Sequence, residues 1–183
     1  MTAEAAGRSV ADNGTQDTAA AGIDGPAFSP EAVAEYDRIL GHYPVRRAAL
    51  MPVLWLAQRE FGWISPAVEA YVARLMELPR SWVEGVTSFY TMYYTRPMGR
   101  HHIQVCTNLS CRLRGADAIV SAVRRRLAIR PGETTPDMRF SLDTVECLAS
   151  CGTAPMLQLD DRYVENLDVA SVLELIDRLE EEL

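Results

Sequence analysis

The sequence predicts an α+β protein: a small helical bundle followed by an α/β domain, with a tail in front. Three observations carry this reading. Between residues 29 and 93, apolar side chains recur at helical spacing, and two of the segments open on Ser-Pro. From about His101 the pattern changes to short apolar strands alternating with helices. All four cysteines lie in this second part, as two close pairs. The expected boundaries are a disordered tail over residues 1–27, a helical bundle over 28–97 and the α/β domain over 98–183.

The tail is dominated by Ala, Gly, Thr and Asp and has almost no large apolar side chain. It buries too little to offset its ordering entropy. Order is expected from Phe28, with Ser29 capping a helix and Pro30 at its first position. Val33, Tyr36, Ile39 and Leu40 share one face of that helix. A second helix is expected from about Arg46 to Arg59 on Leu50, Leu54 and Leu56, with Pro52 either in its first turn or kinking it. Ser65-Pro66 opens a third, ahead of Val68, Tyr71, Val72 and Leu75. Pro79-Arg80-Ser81 opens a fourth on Val83, Val86, Phe89 and Tyr90. Trp55, Trp63 and Trp82 are read as core.

In the second part, His102-Ile103-Gln104-Val105 reads as a strand that delivers Cys106 at its end. Leu113, Ala116, Val120, Val123 and Leu127 place a helix after a loop holding Cys111. Pro131-Gly132 is a turn signal. Met138–Val145 reads as a second strand reaching Cys147, and Met156–Leu159 as a third. Asp160-Asp161 turns into Arg162-Tyr163-Val164. A helix from Asp168 closes the chain, with Val172, Leu173, Ile176 and Leu179 inward. The order β-α-β-β-β-α resembles a thioredoxin-type sandwich.

Composition narrows the function. There are 25 acidic against 18 basic residues, a net charge of -7, and every Lys/Arg position is Arg. A nucleic-acid-binding protein would show a basic surplus, so none is expected as partner. No apolar run is long enough to cross a bilayer, and the N-terminus lacks the layout of a secretory signal. The chain therefore reads as cytoplasmic, where four cysteines point to metal or redox work rather than disulfides.

The cysteine spacing is Cys106-x4-Cys111 and Cys147-x3-Cys151. A [2Fe–2S] cluster takes four thiolates, two on each iron, and each pair here follows a strand that can anchor its loop. Structural zinc also takes four thiolates, but its knuckles usually run C-x2-C, which neither pair does. A dithiol oxidoreductase would need C-x-x-C, which is absent. Spacing thus favours iron–sulfur over zinc and leaves zinc open. Asn108, in the first loop, offers a small polar side chain, as do Thr107 and Ser110. Gly152, directly after Cys151, allows tight turning and close approach of backbone N–H groups to sulfur. Arg112 and Arg114 would favour a reduced, more negative cluster. His42, His101 and His102 read as surface or packing residues. Arg124-Arg125-Arg126 reads as the solvated face of a helix. No glycine-rich phosphate loop or dinucleotide motif is present, so NADH and flavin are not expected to bind this chain.

Five stretches carry a family resemblance: Phe28-Ser29-Pro30-Glu31, Leu56–Trp63, Thr87–Tyr93, His102–Cys111 and Glu146–Met156. Through them the chain resembles the thioredoxin-like [2Fe–2S] subunit of the proton-pumping NADH:quinone oxidoreductase, respiratory complex I, over residues 28–183. The resemblance implies a four-helix N-terminal domain and a thioredoxin-like [2Fe–2S] ferredoxin domain, with Cys106, Cys111, Cys147 and Cys151 as ligands. It implies partners: a flavoprotein subunit that binds NADH and FMN, and the iron–sulfur subunits of the peripheral arm. The complex would sit on the cytoplasmic face of the inner membrane, and this chain would not insert. The cluster would exchange one electron with the flavin, to one side of the main route to quinone. Related subunits serve NAD-dependent formate dehydrogenases and NAD-reducing hydrogenases as diaphorase gamma partners. A mainly structural scaffold for the flavoprotein is a further alternative. Ala154-Pro155 stands where thioredoxin-type folds place a cis proline; a trans proline closing the loop fits the sequence equally well.

Overall fold

The structure, a computed structural model, describes residues 25–181; the tail expected over residues 1–27 lies outside them apart from Gly25, Pro26 and Ala27. Four helices come first: α1 (Pro30–Gly41), α2 (Leu50–Phe61), α3 (Pro66–Met76) and α4 (Arg80–Phe89). Both serine caps form as the sequence predicts. The Ser29 and Ser65 hydroxyls accept from the N–H groups of Ala32 and Val68 at 3.2 Å, each with a proline at the first helical position. The second helix starts later than expected. Arg46–Ala49 form a 3-10 turn, and α2 proper begins at Leu50, which puts Pro52 in its first turn where no intrahelical N–H is lost.

These helices share one core, in which Val53, Leu54, Ala57, Val72, Met76 and Val83 are fully enclosed. Phe28 closes its end by stacking on Phe61 at 5.7 Å and meeting Tyr71 edge-on at 5.2 Å. Several expected core positions are not core. Trp82 is exposed under the Arg47 guanidinium, 4.1 Å from its ring, and Val33 and Tyr90 also face outward. Phe89 is 75% exposed because α4 ends there and the chain turns away.

The second part is a five-stranded sheet in the order β2-β3-β1-β4-β5. Its strands are β1 (His101–Cys106), β2 (Glu133–Thr134), β3 (Phe140–Val145), β4 (Leu157–Leu159) and β5 (Arg162–Val164). β1 and β3 run parallel from His101↔Phe140 to Cys106↔Val145; every other pairing is antiparallel. Three further helices complete it: α5 (Leu109–Leu113), α6 (Ala116–Leu127) and α7 (Val169–Glu181). α6 supplies the crossover that a parallel pair requires.

Alternation along the strands sorts the two faces of the sheet. Ile103, Val105, Phe140, Leu142, Leu157 and Leu159 join α6 and α7 in a second core. His102, Gln104 and Cys106 occupy the other face of β1. Two elements escape the sequence reading: the two-residue β2, and α5, which replaces the expected Cys111 loop. Gly115 (φ +104) separates α5 from α6, so Leu113 is exposed and does not join the α6 stripe.

Candidate metal centre

The parallel pairing of β1 and β3 assembles the site. Parallel strands end on the same side, so Cys106, the last residue of β1, lies level with Val145, and Cys147 follows two residues later. The Cys106 N–H donates to the Met156 carbonyl at 3.2 Å, and the Thr107 N–H to the Val145 carbonyl at 2.9 Å. Cys106 is thereby pinned between β3 and the approach to β4. Cys111 sits on α5 and turns inward, while Leu109 and Leu113 on the same short helix face solvent.

Cys106 and Cys111 are 3% and 2% exposed, in a small core with Ala116, Ala154 and Met156. Burial pushes the Cys111 thiol above its ordinary value, and the neighbouring Cys106 thiol adds to that. Cys147 and Cys151 are exposed. The Ala149 N–H donates to the Cys147 sulfur at 3.3 Å. Cys151 opens a 3-10 turn over Cys151–Thr153. The hydroxyls of Ser150 and Thr153 both donate to the Glu165 carboxylate, holding its pKa low and tying the Cys151 turn to the end of β5.

The structure thus brings Cys106 and Cys111 into contact and sets Cys147 and Cys151 on the same end of the sheet, more open. Among the described residues, no three His, Cys, Asp or Glu side chains gather closely enough to hold a single metal ion. Each iron of a two-iron cluster takes one thiolate pair. All four thiols are free. The donor set therefore fits a [2Fe–2S] group: four sulfurs in two pairs, one pair shielded from water.

The other residues singled out from sequence fare unevenly. Asn108 is the N-cap of α5 but makes no side-chain cap bond. A Cβ at Gly152 would meet nothing within 4 Å, and its φ is not left-handed, so the polypeptide itself does not demand glycine there. Pro155 is buried behind the site on a cis peptide bond, and its carbonyl accepts from the Leu167 N–H at 3.0 Å. Arg112 is exposed, 3.5 Å from Asp117.

A half-buried polar network escaped the sequence reading. His102 Nε2 lies 2.7 Å from Asp143 Oδ2; the carboxylate can only accept, so Nε2–H donates. His102 Nδ1 lies 3.2 Å from the Tyr94 hydroxyl. Arg96 donates to Asp143 at 2.9 Å and to Thr134 at 3.0 Å. The available signal was parity: His102 and Gln104 share the face of Cys106, away from the apolar core. The network binds the segment leaving α4 onto β1 and β3, the strands that position Cys106 and Cys147.

Comparisons with known proteins agree on one family. The family described as thioredoxin-like [2Fe-2S] ferredoxin matches residues 36–180. The chain is 43% identical over 143 residues to an NADH-quinone oxidoreductase subunit of Rhizobium meliloti, covering 78% of this chain and 85% of that one. It is 49% identical over 121 residues to an NADH-quinone oxidoreductase subunit of Thermus thermophilus, covering 66% of this chain and 67% of that one. Among solved structures, an air-oxidised NAD+-reducing [NiFe]-hydrogenase superposes with a TM-score of 0.65 at 22% identity, over 73% of this chain and 23% of that chain. At that identity the likeness speaks for the fold alone.

Proposed function

The chain belongs to the thioredoxin-like [2Fe–2S] ferredoxin family, and from that premise we propose that it serves as the [2Fe–2S] electron-transfer subunit of an NADH:quinone oxidoreductase. The observation that carries this is the paired-thiolate site at the end of β1 and β3, inside a chain similar over most of its length to named subunits of that enzyme. It carries one [2Fe–2S] cluster and contributes to an oxidoreductase complex without a complete active site of its own. Cys106, Cys111, Cys147 and Cys151 would hold the cluster. When bound, such a cluster takes up and returns one electron at a time.

The chain's own groups determine the surroundings. Cys106 and Cys111 lie in an apolar pocket that keeps water from one side of the site. The Ala149 N–H stabilises negative charge on the Cys147 sulfur, as hydrogen bonds to ligand sulfur do. The Glu165 carboxylate fixes the turn that presents Cys151. Exposed Arg112 and Arg114 add positive charge beside α5.

The flavoprotein subunit that binds NADH and FMN is the electron donor in this reading, with the peripheral-arm iron–sulfur subunits as further neighbours. Among the described residues no helix is long and apolar enough to cross a membrane. In this reading the subunit lies peripherally on the cytoplasmic face of the membrane. Residues 28–97 form a four-helix bundle domain that supports this docking, and residues 98–183 the ferredoxin domain. The test is purification without denaturation. Iron and acid-labile sulfide should be present in equal amounts, and Cys147→Ser should labilise them while helical content is kept. A colourless protein with one stoichiometric zinc would refute the reading.

A further inference from the structure

A groove of about 750 Å3 runs between the segment leaving α4 and the face of the sheet that α6 and α7 leave open. One wall is aromatic, from Trp55, Tyr90 and Tyr94; the floor is polar, from Gln104, Asp143 and Gln158. At one end it reaches Cys147. Its charges are unbalanced. Asp143 is matched by Arg96 at 2.9 Å, but Glu146 and Asp161 have no basic partner within 4.0 Å among the described residues. Both are exposed. Unmatched carboxylates at the two ends of a groove with aromatic rings along one wall are suited to guanidinium or ammonium groups, which pair with the acids and lie over the rings. A second copy of this chain, with a net charge of -7, would meet the carboxylates with like charge.

We propose that this groove receives an extended Arg- or Lys-bearing segment of the flavoprotein subunit, with one cation at Glu146 beside Cys147 and a second at Asp161, level with the start of β1 at the other end of the groove. The inference rests on the flavoprotein reading above and specifies the surface and charge of that contact. It gives the partner a positive group next to one of the cluster's thiolates. Docking and electron acceptance are thereby linked, because the Cys147 side of the site gains its cation only in the assembled pair.

The experiment measures association of the cluster-loaded protein with the purified flavoprotein subunit at low and moderate salt. The Glu146→Gln/Asp161→Asn double variant should bind about tenfold more weakly at low salt, with a flatter salt dependence. Asp161→Asn alone, level with the start of β1 and so away from the strand end that carries Cys106 and Cys147, should lose about threefold, with iron content unchanged. Unchanged affinity and salt dependence in both variants would overturn the proposal while leaving the flavoprotein reading intact. Tighter binding by the variants would also overturn it, by pointing to an acidic occupant. If the unaltered protein fails to bind the flavoprotein, both readings fall.

Discussion

Single residues here do more than their types announce. Tyr93 is buried, its hydroxyl donates to the Met51 carbonyl at 2.9 Å, and burial pushes its pKa up to about 12. A phenol kept neutral in the fold ionises at about 10 once unfolded. The folded value is the higher one, so its contribution is intact below pH of about 10 and is lost as pH rises towards about 12. Replacing Tyr93 with Phe should flatten that part of the alkaline stability profile, as followed by chemical denaturation. His102 makes a similar point about legibility. In sequence it is one of three scattered histidines. Only the parallel register, which brings Asp143 within 2.7 Å, reveals it as a link between the strands that position Cys106 and Cys147. Registers join residues 41 positions apart, and no local pattern encodes that distance.

Elements were legible where local chemistry determines them. The Ser-Pro starts of α1 and α3, the Asp160 turn and the apolar stripes of α6 and α7 follow from caps, turn residues and periodicity. The sequence failed where a boundary depends on tertiary contact. β2 is two residues long and exists because β3 offers a paired edge. α5 reads as a loop because five residues are too few to show a period. The segment after α4 carries its own constraint at Gly99. A Cβ there would meet backbone atoms of Phe140 at 2.7 Å, while the Gly99 N–H donates to Ser141 Oγ at 2.8 Å. Gly99→Ala must push this segment off β3. The expected loss is about 1–3 kcal/mol, measured by urea denaturation, with the groove floor disturbed at the same time.

Among the described residues, the two larger apolar cores are separate: one among α1–α4, the other between the sheet and α6 and α7. Leu54 and Ile176 are each fully enclosed, one in each core. Truncating either to Ala should cost about 2–5 kcal/mol. The effects should divide: Leu54→Ala lowers the melting of helical signal with iron retained, and Ile176→Ala releases iron first. The four cysteines and their pairing were plain in the sequence, because metal-ligand spacing is local. Their unequal shelter was not, because it comes from the inward turn of α5 and the packing of Met156 and Ala154. That inequality gives the protein a direction for maturation. The sheltered pair belongs to the folded interior, whereas the open pair stands at the surface, where a delivering protein or an oxidant arrives. Filling and damage of the centre would then both begin at Cys147 and Cys151, and reloading after oxidation would first require those two sulfurs to be reduced back to thiols.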